Sequence, residues 1–431
     1  MDYDLIIIGA GWAGFNAAQA ARIRGFKACV VEKSRVGGTC LNSGCIPTKA
    51  LIQSAKVFSL VKKSLNFGVE VANPSINMTK AQERKDRIVQ QLGAGMQFML
   101  KGTDFYPQGA ELLSNTEVKA GSDILKTKYI LLATGSRPIE LPQFKFDGKK
   151  IISSDDILNL KEIPRSLLII GGGVIGCEFA SMFSNFGSQV SVVEKMSQLL
   201  PGEDPEIAKK LEINFKKKGI KVSLDTDAST LNFDEFDLVL VCVGRVAQTE
   251  GLGLDKIGVT LDRGSIVVDD YLKTSIPNIY AAGDCTGKIM LAHYAAYQGK
   301  IAAKNIINSE LPHAKADNAV VPSCIFTDPE IASVGLNEPA ALEKGLELKI
   351  DKFDFVASGM ARIIDETEGL IKIISNKATN EIIGASIIGP RATELIGILS
   401  LAVSSHLKNS QIKEMIFAHP TLSESIGEAI H

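Results

Sequence analysis

The sequence predicts an α/β protein in which one strand–helix–strand unit occurs twice, followed by a separate α+β unit. Three observations predict it. The stretch YDLIIIGAGWAGFNAAQAARIRGFKACVVEK, Tyr3 to Lys33, aligns without a gap on RSLLIIGGGVIGCEFASMFSNFGSQVSVVEK, Arg165 to Lys195. Strand-like apolar runs recur at 129–135, 167–170, 190–193, 237–243 and 279–282. From about Asn318 the pattern changes to longer strand-like runs and a closing helical stretch.

Each copy of the repeat starts with an apolar run of strand length, continues into G-x-G-x-x-G, then a helical pattern of about three turns, and ends in a second apolar run. One such glycine motif is weak evidence. Here each follows a strand, opens a helix, and is followed eighteen residues after its last glycine by an acid at a strand end, Glu32 or Glu194. That context is what a dinucleotide requires. Gly9 and Gly171 allow the tight turn, Gly11 and Gly173 admit a pyrophosphate, and Gly14 and Gly176 let helix and strand pack closely. The helix N-termini then offer free N–H groups to phosphate. Two Rossmann-like units imply two dinucleotides. An acid at each strand end can accept from ribose hydroxyls and repels a 2′-phosphate, so Glu194 favours NAD over NADP, with Lys195 beside it weakening the preference.

The stretch RPIELPQFKFDGKK (137–150) is the expected crossover between the two units. After Asn318, CIFTDPEIASVG, LELKIDKFDF and EGLIKIISNKATNEIIGASIIG read as strands with a turn around Lys377 to Asn380, and TELIGILSLAVSSH reads as a helix.

Composition narrows the classes of function. The chain has 431 residues, a formal net charge of −2 and no dense Lys/Arg run, so no nucleic acid partner is expected. The opening MDYDLIIIGAG places acids where a leader would carry positive charge, and no apolar run reaches spanning length. A cytoplasmic protein without membrane contact is expected. Cys29, Cys177, Cys242, Cys285 and Cys324 sit singly in or beside apolar stretches and read as small buried hydrophobes. Cys40 and Cys45, in GGTCLNSGCIPTK (37–49), are close together and surrounded by glycine and polar residues.

With the repeat and the cysteine pair in hand, the chain resembles the flavin-dependent pyridine nucleotide-disulfide oxidoreductases. The residues that carry the resemblance are GAGWAG (9–14), GGTCLNSGCIPTK (37–49), ATGSRP (133–138), GGGVIGCE (171–178), AAGDC (281–285) and AHPTLSE (418–424), in that order and over essentially the whole chain. It is most similar to members that reoxidise a protein-bound dihydrolipoyl group with NAD. The resemblance implies an FAD-binding domain from 1–140 and 261–317, an inserted NAD-binding domain at 141–260, and a dimerisation domain at 318–431 that forms a homodimer. It further implies that Gly9, Gly11, Gly14, Glu32, Thr39, Lys49, Gly135, Asp284 and Ala292 lie along FAD. Gly171, Gly173, Gly176, Glu178, Glu194 and Gly244 are expected at NAD. The implied partner is a lipoyl domain or lipoyl carrier protein of a 2-oxoacid dehydrogenase or glycine-cleavage system.

A lone cysteine pair lacks the ligands of a structural zinc site, and in a reducing compartment an ordinary staple would be kept open. The resemblance implies a cycling disulfide, with Cys40 as the interchange thiol and Cys45 as the thiol facing the flavin. Positions five apart on an ideal helix lie about 140° from one another, so a bond between them requires a bent or just-starting helix. Gly44 and Pro47 permit that departure. If the helix starts near Ile46, Cys45 lies at its positive end, where a thiolate is stabilised. Lys49, one turn further on, is expected to pair with Glu178. Among five histidines, His419 stands out because Glu424 can orient its imidazole, and the resemblance implies the role of general base acting across the dimer.

Two stretches depart from the family pattern. A short, poorly patterned segment fills 219–237, and GRVAQTEGL stands at 244–252. Both fall in the second unit and bear on the nucleotide pocket. The rival readings are a glutathione- or mercuric-reductase-like enzyme and a non-catalytic nucleotide-binding protein. The first would call for basic residues near Glu194 or cysteines near the C-terminus, and no cysteine follows Cys324. The pairing of His419 with Glu424 speaks against the second.

Overall fold

A computed structural model describes residues 1–308 and 313–431. Residues 309–312, inside the returning segment expected at 261–317, lie outside the described residues.

The apolar runs of the repeat become the central strands of two sheets. In the first, Tyr3–Ile8 lies between Ala28–Val31 and Asp123–Leu132, all parallel, with Asp104–Tyr106 on one flank. Ile279–Ala281 comes back, late in the chain, to pair with the far side of Asp123–Leu132. In the second, Ser166–Ile170 lies between Gln189–Val193 and Leu238–Val241, with Lys221–Ser223 and Ile151–Ile152 outside them, again all parallel. Parallel strands covered on both faces bury nearly every side chain, which is why they read as continuous apolar runs. Ile6, Ile7, Leu167 and Ile169 are completely buried.

The chain passes between these sheets twice, and the two crossings pair with each other: Ser136–Pro138 runs antiparallel to Arg245–Ala247. The expected crossover thus starts as a short strand. The third sheet is antiparallel, in the order Ser323–Ile325, Glu330–Gly335, Ile382–Gly389, Leu370–Asn376, Leu348–Asp354, and the helix Ala392–Ser404 covers it.

The helix Cys45–Lys62 sits where the three sheets meet. Its Leu51, Ile52 and Ala55 join one apolar cluster with Leu167 and Ile169 of the second sheet and Ile325, Ile331 and Ile388 of the third. Full burial of a leucine such as Leu51 contributes about 2 kcal/mol, so this helix is held by the packing of all three units.

Candidate active site

The two cysteines lie on either side of a break in the helix. Cys40 belongs to the short helix Gly38–Asn42, and Cys45 is the first residue of Cys45–Lys62. At Gly44, between them, an added Cβ would come within 2.9 Å of the Thr39 carbonyl oxygen, so only glycine lets the chain fold back this closely. The break brings the two thiols together, with Cys40 the sulfur that keeps its proton and Cys45 the one that gives it up more readily.

This geometry makes the two sulfurs unequal. The hydrogen bond from Cys40 lowers Cys45 to about 7; burial opposes this, the Lys49 charge assists, and the Glu178 charge works against it. Cys40 moves the opposite way, raised by the bond it donates and by burial. Lys49 Nζ lies 2.8 Å from both oxygens of Glu178 and 4.8 Å from the centre of the Phe326 ring. Glu178 is 3% exposed and also accepts the Phe326 N–H at 2.9 Å. The motif containing Glu178 groups it with the second nucleotide, but among the described residues it stands outside that cavity's lining. Its helix, Val174–Phe186, turns it toward Cys45–Lys62 instead.

Trp12, the one tryptophan of the chain, was not singled out by sequence. It begins the helix after the first glycine loop, and its buried indole N–H, which makes no hydrogen bond among the described residues, lies near the Cys40 sulfur and favours its thiolate. The signal that marks it is its place inside the G-x-G-x-x-G motif, beside a second glycine loop: Gly11 and Gly38 meet so closely that a Cβ on Gly38 would approach the Gly11 Cα to 2.9 Å.

Both glycine loops have the features a dinucleotide needs. Gly9 and Gly171 adopt φ of 105° and 108°, and a Cβ at either would strike a carbonyl oxygen of the next strand's end. At Gly14 and Gly176 a Cβ would lie about 2 Å from the Gly9 or Gly171 carbonyl oxygen. Gly173 differs: a Cβ there would meet nothing within 4 Å among the described residues, so the backbone does not need a glycine and the space beside it suits a ligand. Among the described residues no side chain caps the helices Trp12–Ile23, Val174–Phe186 and Ala292–Ile307, which leaves their first N–H groups available to phosphate or carbonyl oxygens.

The two acids match as well. Glu32 accepts from the N–H groups of Ala10 (2.7 Å) and Ser34 (2.8 Å); Glu194 accepts from Gly172 (2.6 Å) and Met196 (2.7 Å). Each oxygen keeps a lone pair for a ribose hydroxyl. The second loop opens on a cavity of about 620 Å³ lined by Gly171, Gly173, Glu194, Gly244, Lys195 and Asp227, among others. Asp284 accepts from the Ser136 hydroxyl at 2.6 Å, and Arg245 binds the Ser136 hydroxyl and carbonyl, both at 2.8 Å, which ties the crossings to the returning segment. Gly135, at φ 74°, makes the turn into the first crossing, and Thr39 lies between Gly38 and Cys40.

His419 Nδ1 is 2.8 Å from Glu424 Oε2, and the hydrogen bond to His419 holds the Glu424 carboxyl below its ordinary range. The imidazole is 79% exposed and, among the described residues, makes no hydrogen bond to either thiol of its own chain.

Residues 3–299 match the family described as pyridine nucleotide-disulphide oxidoreductase, and residues 321–430 match its dimerisation domain. The chain is 43% identical to dihydrolipoyl dehydrogenase of Chlamydia trachomatis, covering 99% of this chain and 96% of that one. It is 39% identical to dihydrolipoyl dehydrogenase of Bacillus subtilis, covering 99% and 97%. Among solved structures, the HOCl-induced flavoprotein disulfide reductase RclA from Escherichia coli superposes with a TM-score of 0.89 at 29% identity, covering 99% of each chain.

Proposed function

The chain belongs to the pyridine nucleotide-disulphide oxidoreductases, and from that premise we propose that it reoxidises protein-bound dihydrolipoyl groups to lipoyl with NAD as final acceptor. The observation that carries this reading is the unequal cysteine pair beside two uncapped glycine loops. FAD fits the first loop, held by Gly9, Gly11, Gly14 and Glu32, with Thr39, Lys49, Gly135, Asp284 and Ala292 along its length. NAD fits the second, held by Gly171, Gly173, Gly176, Glu194 and Gly244. Glu178 serves by fixing Lys49. Bound flavin supplies the two-electron link between the cysteine pair and the nicotinamide.

The cysteine roles follow from acidity. In thiol–disulfide exchange the sulfur with the lower pKa leaves more readily. A dihydrolipoyl sulfur, having given its proton to His419, attacks Cys40 of the oxidised pair, forms a mixed disulfide with it, and expels Cys45 as thiolate. In the mixed disulfide Cys40 has no proton to donate, so the Cys45 thiolate is stabilised by Lys49 and by the start of its helix; the Cys40 thiol adds to this only once it is released and protonated. The second dihydrolipoyl sulfur then attacks the first, closes the lipoyl ring and releases Cys40, which takes up a proton. Glu424 positions the His419 ring and stabilises it when protonated. Because His419 is exposed and makes no hydrogen bond to its own cysteines among the described residues, it serves those of a second subunit in a homodimer formed through 318–431. The division into an FAD domain (1–140, 261–317) and an NAD domain (141–260) belongs to the same reading.

The substrate would be carried on a lipoyl domain or lipoyl carrier protein in the cytoplasm; no helix among the described residues is long and apolar enough to cross a membrane. A steady-state assay with dihydrolipoamide against glutathione, each with NAD and NADP, tests the reading. Turnover with dihydrolipoamide and NAD is expected, and preference for glutathione would overturn it.

A further inference from the structure

The rim of the second cavity contains a charge arrangement that the glycine motif does not account for. Lys195 directly follows the ribose-side acid Glu194, and it is the one basic side chain among the described residues lining the cavity. An unopposed lysine there would welcome the 2′-phosphate of NADP. The segment 219–237, short and poorly patterned in sequence, supplies what stands against it. After the strand Lys221–Ser223 the chain forms no hairpin but turns along the cavity edge, and two backbone bonds lace it to the loop that holds Glu194. Thr226 N–H donates to the Glu194 carbonyl at 3.0 Å, and Asp225 N–H donates to that of Met196 at 3.1 Å. Ala228 packs in the cluster of Phe144 and Val193, and the rings of Phe144 and Phe233 lie 5.4 Å apart, which anchors the far end of the turn.

This lacing sets Glu194, Lys195 and Asp227 on one rim. Asp227 Oδ1 accepts from Ser229 N–H at 2.9 Å, and that bond, assisted by the Lys195 charge, keeps its carboxyl below the ordinary range, so it is anionic at neutral pH. The rim carries two negative charges and one positive, and the positive one has a carboxylate for a neighbour.

We propose that Asp227 is a specificity-determining residue: its charge offsets that of Lys195 on the same rim, so that the rim accepts the free 2′-hydroxyl of NAD and rejects a 2′-phosphate. The inference rests on the reading that this cavity takes the nicotinamide dinucleotide. A 2′-phosphate drawn to Lys195 would lie on the same rim as Asp227 and Glu194, so each carboxylate opposes it.

The test is Asp227→Asn, which keeps the acceptor for Ser229 N–H and removes only the charge. The ratio of kcat/KM for NAD to that for NADP is expected to fall about tenfold, as when one unit charge near a phosphate is removed across a solvated rim, with a smaller fall at high salt. Adding Lys195→Gln to Asp227→Asn should restore most of the ratio, because the freed lysine produces the gain. The affinities of AMP and 2′-phosphoadenosine, measured by calorimetry, should shift in the same sense independently of turnover. An unchanged ratio in Asp227→Asn, or a double variant that keeps the full gain for NADP, would overturn the proposal. Failure of the unaltered protein to reduce NAD would instead overturn the reading of the cavity.

Discussion

Replacing the partners of the half-buried Lys49–Glu178 ion pair one at a time should move the acidity of Cys45 in opposite directions. Lys49 lies one helical turn beyond Cys45, a spacing that puts side chains about 5–6 Å apart at Cβ. At that separation, with an effective dielectric of about 20, a unit charge is worth about 3 kcal/mol, or about two pKa units. Glu178 opposes it from 2.8 Å beyond the ammonium, so Cys45 feels a partly cancelled pair. Lys49→Met removes the favourable charge and leaves the carboxylate, raising the midpoint of Cys45 from about 7 by one unit or more. It should also destabilise the fold, since a buried carboxylate stripped of its partner costs about 3–5 kcal/mol unless it takes up a proton. Glu178→Gln removes the opposing charge and should lower the midpoint by about one unit. The assay is the pH dependence of the long-wavelength thiolate-to-flavin band in the two-electron-reduced holoprotein. The sign also appears in stability. Cys45 falls from its ordinary value of 9.0 to about 7, so the reduced protein has the full benefit above pH 9 and loses it as pH falls through 7. A Glu178→Gln midpoint at or above that of the unaltered protein, or an unmoved midpoint in Lys49→Met, would refute the reasoning.

His419→Ala should lower dihydrolipoamide turnover by about two to four orders of magnitude, as for a lost general base, while FAD content by absorbance stays unchanged. Near-normal turnover would remove His419 from the mechanism. Trp12→Phe keeps an apolar ring but removes the buried N–H that favours the Cys40 thiolate, so alkylation of reduced Cys40 at fixed pH should slow, by about tenfold for each unit its pKa rises. An unaltered rate in Trp12→Phe would show that the indole does not act on that sulfur.

What was readable in advance follows from local pattern. The two parallel sheets announce themselves because strands such as Leu238–Val241 are buried on both faces and must be apolar throughout. The glycine loops and their acids repeat at one spacing, and Gly44 marks the helix break that joins Cys40 to Cys45. His419 and Glu424 are five residues apart, so their pairing is local as well. Other features depend on contacts distant in sequence. The helix Met78–Met99 is largely exposed and lacks an apolar signature strong enough to announce it, although Asn77 caps it by accepting from Lys80 N–H. That Glu178 turns away from the nucleotide cavity depends on which face of Val174–Phe186 meets Cys45–Lys62. The lone indole N–H of Trp12 and the placement of Asp227 on the cavity rim arise from loops meeting loops, where neither a period of two nor of 3.6 operates.

The central claim is that Cys40 and Cys45 exchange electron pairs as a reversible disulfide beside bound flavin. Both lie in one tryptic peptide, Val36–Lys49, so mass mapping after alkylation reads their state directly. Protein isolated gently under air should give that peptide internally linked and unalkylated, and one equivalent of NADH should convert it to a form alkylated at both cysteines. Alkylation at both positions before any reductant is added, or a linked peptide that NADH leaves unchanged, would contradict the account.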